Sequence, residues 1–190
     1  MSGRGTLFLV VGPSGAGKDT LLDGARAALA GDDGVVFARR VISRPADAGG
    51  EEHDPIDTAA FDRAEADGAF MLSWRAHDLR YGIPARYADV LGEGRSVVAN
   101  VSRSVIDLAR SRLQPVRVVQ VTAPADLLAG RLAERGREDE LAIARRLARA
   151  SAVEVEGTDV VHVVNDGTVA EGVARMVAVL SGGCQRPTAA

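Results

Sequence analysis

The sequence predicts an α/β fold with a parallel five-stranded central sheet and helices on both faces. Three observations carry this. Short, Val-rich apolar runs recur along the 190 residues, and helical apolar patterns separate them. The first run ends in a glycine-rich turn, Gly12-Pro13-Ser14-Gly15-Ala16-Gly17-Lys18, that opens directly into a helix.

Taken in order, Thr6–Val11 is the first buried strand. Residues 19–30 form a helix whose apolar face is Leu21, Leu22, Ala25, Ala28 and Leu29, with Gly31 as its stop. Val35–Ile42 reads as one further strand. From Ser43 to Arg86 the rhythm breaks: Arg44-Pro45, Gly49-Gly50 and Pro55 precede a short helix near Asp57–Asp67 and an isolated strand near Phe70–Arg75. This stretch, 43–86, reads as an insertion that supplies a second wall for a substrate cleft. Three more Val-rich runs (96–101, 116–121 and 160–164) complete the buried strands. Helices are expected over 104–112, over 124–134 with Pro124 suiting a first turn, over 138–155 and over 169–180. One domain thus spans 1–180, and 181–190 is a Gly/Pro-containing tail.

Composition narrows the function classes. With 46% hydrophobic residues the chain has enough apolar surface for a real core. A net charge of −3 argues against general nucleic-acid binding. The Leu7–Val11 run is too short for a signal peptide or a membrane span, so the expected location is the cytoplasm, with no membrane partner. One cysteine, Cys184, and 3 scattered histidines offer neither a disulfide framework nor a metal cluster. Phe61, Phe70, Met71 and Met176 are most simply core. Among 23 basic residues the sole lysine is Lys18, placed where a compact ammonium on a flexible stem must reach phosphate oxygens.

The turn matches the phosphate-loop pattern GxxxxGK[ST] up to its last position, where Asp19 replaces the hydroxyl residue that holds magnesium. Glycines let successive backbone N–H groups curl toward phosphate oxygens, and the helix N-terminus adds its positive dipole. A carboxylate beside a triphosphate repels it unless a cation lies between them, and magnesium accepts carboxylate oxygen. Thr20 is a poor stand-in, because one step along a helix rotates a side chain by about 100°. Asp19 is therefore the candidate metal ligand, its carboxylate taking the place of an acidic residue expected near Asn100. Further on, Arg131, Arg135, Arg137, Arg145, Arg146 and Arg149 crowd one segment, with Arg135-Gly136-Arg137 at a helix break. Arginines at such a hinge suit a lid, residues 135–146, that neutralises a transferring phosphoryl group. Arg145 and Arg149 fit a solvated helix face better.

Nearly the whole chain resembles the guanylate kinases. The loop, Ser43-Arg44, Tyr81-Gly82, "VVANVSRS", "RLAERGRE" and "VVNDG" follow that family's order and spacing. The resemblance implies the P-loop nucleoside-monophosphate-kinase fold with a lid and a small substrate-binding subdomain. It implies an ATP-binding set of Gly12, Pro13, Ser14, Gly15, Ala16, Gly17, Lys18, Asp19, Thr20 and Arg131. Asn165 and Asp166 belong to that set as neighbours of the adenine. ATP and Mg2+ are the implied cofactors, and Lys18, Arg135, Arg137 and Arg146 the catalytic residues.

Departures from the guanylate-kinase pattern point to a different acceptor. Arg44 is kept, but the second phosphate-binding arginine is missing, and Asp47 stands three residues on. Ile83-Pro84 replaces the hydroxyl residues that read guanine, and Asn100-Val101-Ser102-Arg103 replaces an acidic strand end. A pocket that hydrogen-bonds a base owes roughly 10⁴–10⁵ of discrimination to such polar groups. Losing them while gaining an arginine describes an anionic acceptor without a base. These features resemble a bacterial branch of the family, the ribose 1,5-bisphosphate phosphokinases, whose pattern carries GKD, LSW and Asn-x-Ser-Arg. That resemblance implies transfer from ATP to a sugar bisphosphate, giving phosphoribosyl diphosphate in phosphonate metabolism. Arg44, Tyr81, Ser102 and Arg103 are then the acceptor ligands, and Glu51 and His53, in the insertion, are candidates for the ribose hydroxyls. The alternatives are a true guanylate kinase and a non-catalytic interaction module; the retained loop speaks against the latter.

Overall fold

In a computed structural model of the chain, the described residues are 3–45, 52–128 and 155–182. They contain nine strands. A parallel five-stranded sheet has the order β2-β7-β1-β8-β9, formed by β1 (Leu7–Val11), β2 (Val35–Phe37), β7 (Ser96–Asn100), β8 (Val116–Thr122) and β9 (Val160–Val164). A second sheet has the order β4-β3-β6-β5, from β3 (Arg40–Ile42), β4 (His53–Pro55), β5 (Phe70–Ala76) and β6 (Leu79–Pro84). The α-helices are α1 (Lys18–Ala28), α2 (Thr58–Ala66), α3 (Arg86–Gly92), α4 (Ile106–Arg112) and α5 (Val169–Gly182). Residues 125–128 are also helical, in agreement with Pro124 as a starter. The described residues divide into two compact units: 3–9, 32–45 and 52–117; and 10–31, 118–128 and 155–182.

In the first unit, β2 runs parallel to β7, pairing Val35 with Ser96 and Phe37 with Val98. The expected single strand over 35–42 is two strands in two sheets. Ala38 N still donates to Val98 O (2.8 Å), but Arg39 N donates to the Tyr87 hydroxyl (2.8 Å), and the chain leaves the ladder there. Two consecutive arginines, Arg39 and Arg40, interrupt an otherwise apolar run at that point.

The strand expected to stand alone near Phe70–Arg75 is one arm of a hairpin. β5 pairs antiparallel with β6, Ala76 opposite Leu79, across His77 and Asp78, which have φ of 52° and 60°. Two positive-φ central residues are what a tight hairpin turn requires for its twist to match the strands, and Asn or Gly usually occupies them. His-Asp carries no such signal, so the partner strand was not legible. In β6, the Gly82 position must lack a side chain: an added Cβ would lie 2.5 Å from the Phe70 ring, which itself stacks on Phe61 at 4.6 Å. α2 starts where expected, with Asp57 Oδ1 accepting from Ala60 N (2.8 Å).

In the second unit, β1 residues Val10 and Val11 are fully buried, and β8 and β9 pair in parallel from Val118–Val160 to Thr122–Val164. α1 packs on α5 so closely that a Cβ on Gly24 would meet Val173 at 2.3 Å. α5 begins with a reciprocal cap. Glu171 Oε2 accepts from Thr168 N (2.8 Å) and Oγ1 (2.9 Å), while Glu171 N donates to Thr168 Oγ1 (3.3 Å). The helix continues through Gly182, into the stretch read as tail. The helix expected over 138–155 falls almost wholly outside the described residues, as do the rest of the tail and residues 46–51.

Candidate active site

The phosphate loop leaves β1 and enters α1 with three glycines at positive φ: Gly12 at 149°, Gly15 at 88° and Gly17 at 85°. Gly17 is the N-cap of α1 and makes no side-chain cap, and the positive end of the helix dipole faces the loop. Ala16 N turns back to Pro13 O at 3.3 Å. Lys18 folds over the loop, its Nζ donating to Gly12 O (2.8 Å) and Pro13 O (3.0 Å). This is the shape of an anion cradle with a cation mounted on it, and it fits the phosphates of a nucleotide. Asp19 is the acidic residue of the first α1 turn and is exposed, as is Thr20. Among the described residues no group of three or more His, Cys, Asp or Glu is arranged to hold a metal. A magnesium ion here would take most of its oxygens from phosphate and water, with Asp19 as the protein's contribution.

Asn165, expected near the adenine, follows β9. It is 5% exposed, its backbone N continues the ladder to Thr122 O (2.7 Å), and its Nδ2 donates to Ala16 O at 2.8 Å. Asn165 thus ties the loop to the end of β9. Space for it depends on Gly172, where a Cβ would lie 2.9 Å from Asn165 Oδ1 and 2.7 Å from Leu21 Cδ2. Asp166, the other residue of the pair, is exposed. It binds Arg175, whose Nη1 also donates to Val164 O, and that guanidinium hydrogen bond holds the Asp166 carboxyl below its ordinary range.

In the first unit, the residues expected at the acceptor come from three elements. Ser102 caps the short turn Arg103–Val105, its Oγ accepting from Ser104 N (3.3 Å) and Ser104 Oγ (2.9 Å), so Arg103 opens a helical turn just past the carboxyl end of β7. In open α/β sheets that is the end where ligands bind. Tyr81 stacks on its cross-strand partner Trp74, ring centroids 5.3 Å apart and planes within 6°. His53 is 4% exposed and faces Arg44: its Nδ1 lies 3.4 Å from Arg44 Nη2 and its Nε2 3.1 Å from Arg44 O. Ile83 is fully buried, so the position where guanine-reading hydroxyls were missed in the sequence turns its side chain into the protein.

The sequence reading missed Arg40. Its Nη1 donates to Asn100 O (3.0 Å), and its guanidinium lies 5.4 Å from the Tyr81 ring and 5.9 Å from the Trp74 ring. It therefore brings a cation to Asn100 and Tyr81 together, two residues the sequence had singled out separately. The break of a buried strand by two arginines was the signal available. Arg39 takes a structural part instead, pairing with Asp54 (2.7 Å) and donating to His53 O (3.2 Å).

Comparison with known proteins decides the family. The ribose 1,5-bisphosphate phosphokinase of Methylobacterium radiotolerans is 51% identical over 176 residues, covering 93% of this chain and 97% of that protein. The chain belongs to the ribose 1,5-bisphosphate phosphokinase family. The phosphokinase of Rhizobium etli is 44% identical, covering 94% and 91% of the two chains. A bifunctional ribose 1,5-bisphosphokinase-thymidine phosphorylase of Cupriavidus necator is 50% identical over 189 residues, all of this chain but 31% of that protein. The chain thus spans about a third of the length of such two-function relatives. No protein-family model matches it. Among solved structures, a guanylate kinase from Anaplasma phagocytophilum superposes with a TM-score of 0.64 at 19% identity, covering 98% of this chain and 89% of that one. A gluconokinase from Sinorhizobium meliloti gives 0.54 at 18%, covering 97% and 96%. These two likenesses bear out the fold alone.

For this phosphokinase-family chain, the expected lid residues Arg131, Arg135, Arg137 and Arg146, and the acceptor candidate Glu51, lie outside the described residues. Among the described residues no helix is long and apolar enough to cross a membrane. One test belongs to the geometry just described. Asn165→Ala leaves the buried Ala16 carbonyl without its partner, at a cost of about 1–3 kcal/mol. We expect a lower melting temperature together with several-fold weaker ATP binding in calorimetry. Unaltered ATP affinity would show that the tether does not shape the loop.

Proposed function

We propose that the protein transfers the γ-phosphoryl group of ATP to the 1-phosphate of ribose 1,5-bisphosphate, giving 5-phosphoribosyl 1-diphosphate and ADP. The observation that carries this reading is the 51% identity to a phosphokinase along 97% of that relative's length. The acceptor residues support it. Arg44 and Arg103 are cations suited to phosphate, and Ile83, buried, offers a nucleobase no hydroxyl.

The chemistry is a displacement at phosphorus. An oxygen of the 1-phosphate attacks the γ-phosphorus, the bond to the β–γ bridging oxygen breaks, and ADP leaves with that electron pair. A phosphate acceptor is already ionised at neutral pH, so no general base is required and none is assigned. The protein's work is positioning and charge stabilisation. Lys18 and the loop N–H groups hold the donor phosphates. Arg44, Tyr81, Ser102 and Arg103 hold the acceptor, within a substrate-binding region spanning 43–86 and the end of β7. Arg135, Arg137 and Arg146 are assigned to the transferring group as lid residues of a kinase domain covering 1–180. Asp19 would hold the magnesium that accompanies the nucleotide, and the ion would supply neutralisation of the donor's phosphate charge.

Phosphorus NMR of ATP and Mg2+ with ribose 1,5-bisphosphate, ribose 5-phosphate or GMP tests the reading. A new diphosphate doublet pair is expected with the first acceptor alone; GDP formed at a comparable rate would overturn it. Arg103→Ala should raise KM for the sugar bisphosphate about tenfold or more, one charge-assisted hydrogen bond's worth, and leave KM for ATP near its starting value. Equal increases in both would remove Arg103 from the acceptor.

A further inference from the structure

We propose that His53 is a positioning residue that fixes the guanidinium of Arg44 for the acceptor's phosphate, an inference that rests on the phosphokinase reading above. The two contacts assign a role to each ring nitrogen. Arg44 O can only accept, and His53 Nε2 lies 3.1 Å from it, so Nε2 carries the hydrogen. In a neutral imidazole this leaves Nδ1 as the acceptor, and Nδ1 lies 3.4 Å from Arg44 Nη2, which can only donate. The ring thus engages the main chain and the side chain of one arginine at once. In that tautomer Nε2 faces the Arg44 carbonyl and Nδ1 the Arg44 guanidinium.

The ring is itself anchored. His53 lies on β4, opposite Arg40 of β3, and is 4% exposed; its own carbonyl accepts from Arg39 Nη2 (3.2 Å). Arg39 is in turn bound to Asp54 at 2.7 Å, the residue after His53. Arg44 follows β3 by a short connection and belongs to the side-chain class with the most rotamer freedom to lose. Holding it beforehand leaves less ordering to be done when an anion arrives. The buried Nε of Arg44 finds no hydrogen-bond partner among the described residues, so the guanidinium keeps donor capacity beyond what His53 takes.

This role differs from a ribose contact, because a buried ring whose two nitrogens face Arg44 acts through that arginine. The test has two arms. In steady-state kinetics with ribose 1,5-bisphosphate and ATP, His53→Leu should raise KM for the acceptor about tenfold, the worth of one hydrogen bond to a charged group, with KM for ATP changed less than twofold. His53→Asn, whose Oδ1 can stand in for Nδ1 as acceptor, should recover most of that loss. In nitrogen-15 NMR of the wild-type chain, His53 should show the Nε2–H tautomer, and Arg44→Met should shift its Nδ1 resonance. A parallel rise of both KM values, absence of rescue by asparagine, or an Nδ1–H tautomer would overturn the proposal. If His53→Leu does not fold, the asparagine variant and the tautomer decide. A wild-type chain inert toward ribose 1,5-bisphosphate sinks the functional reading, whereas an active one whose acceptor KM ignores His53→Leu sinks this inference alone.

Discussion

Lys18→Met is expected to cut kcat by about 10²–10³-fold, as removal of a single preorganised charge-stabilising donor does in other enzymes. Lys18 is mounted on the loop by Gly12 O and Pro13 O at 2.8 and 3.0 Å, so its ammonium stands at the cradle before any phosphate enters. Methionine keeps the length and loses the charge. Lys18→Arg should not restore activity, since a planar fork cannot take the place of a compact ammonium inside a tight turn. Single-turnover measurement of ADP formation checks this. A loss below about tenfold, set against that range, would remove Lys18 from charge stabilisation.

Gly12→Ala is expected to damage folding and nucleotide binding together. Gly12 has φ of 149°, a conformation L side chains rarely adopt, and an added Cβ would lie 2.2 Å from Val121 O. That oxygen belongs to β8, whose Val121 is paired with Val163 of β9, so it cannot retreat without breaking a ladder. Backbone strain of about 1–3 kcal/mol and overpacking of similar size give a combined loss of roughly 2–6 kcal/mol. For a chain of this length that lowers the melting temperature by about 10 °C. Gly31→Ala is the control: a Cβ there meets no atom within 4 Å, and its melting temperature should stay close to that of the unaltered protein. If calorimetry finds Gly12→Ala as stable as Gly31→Ala, with ATP binding intact, the close approach does not constrain the loop.

What the sequence determined by itself was the part written in consecutive residues. The loop, its strand and its helix are contiguous, so spacing alone marked Gly12 to Asp19 as a phosphate cradle, and the lone lysine agreed with it. The alternation of Val-rich runs and helical patterns likewise gave the five-stranded sheet, because buried strands and amphipathic helices each impose their own period. Tertiary structure decided what depends on pairs distant along the chain. Arg39 and Arg40 divide one apolar run between two sheets because Tyr87, 48 positions from Arg39, takes up the freed backbone N–H. Arg40 meets Asn100 across 60 positions, and Asn165 meets Ala16 across 149. Local patterns hold no record of such meetings, since a polar side chain looks the same in sequence whether it awaits a ligand or satisfies a buried carbonyl. Only packing fixes which partner lies within hydrogen-bond reach, and that is why the glycine-rich loop between strand and helix could be read from letters while the partners of Arg40, His53 and Asn165 could not.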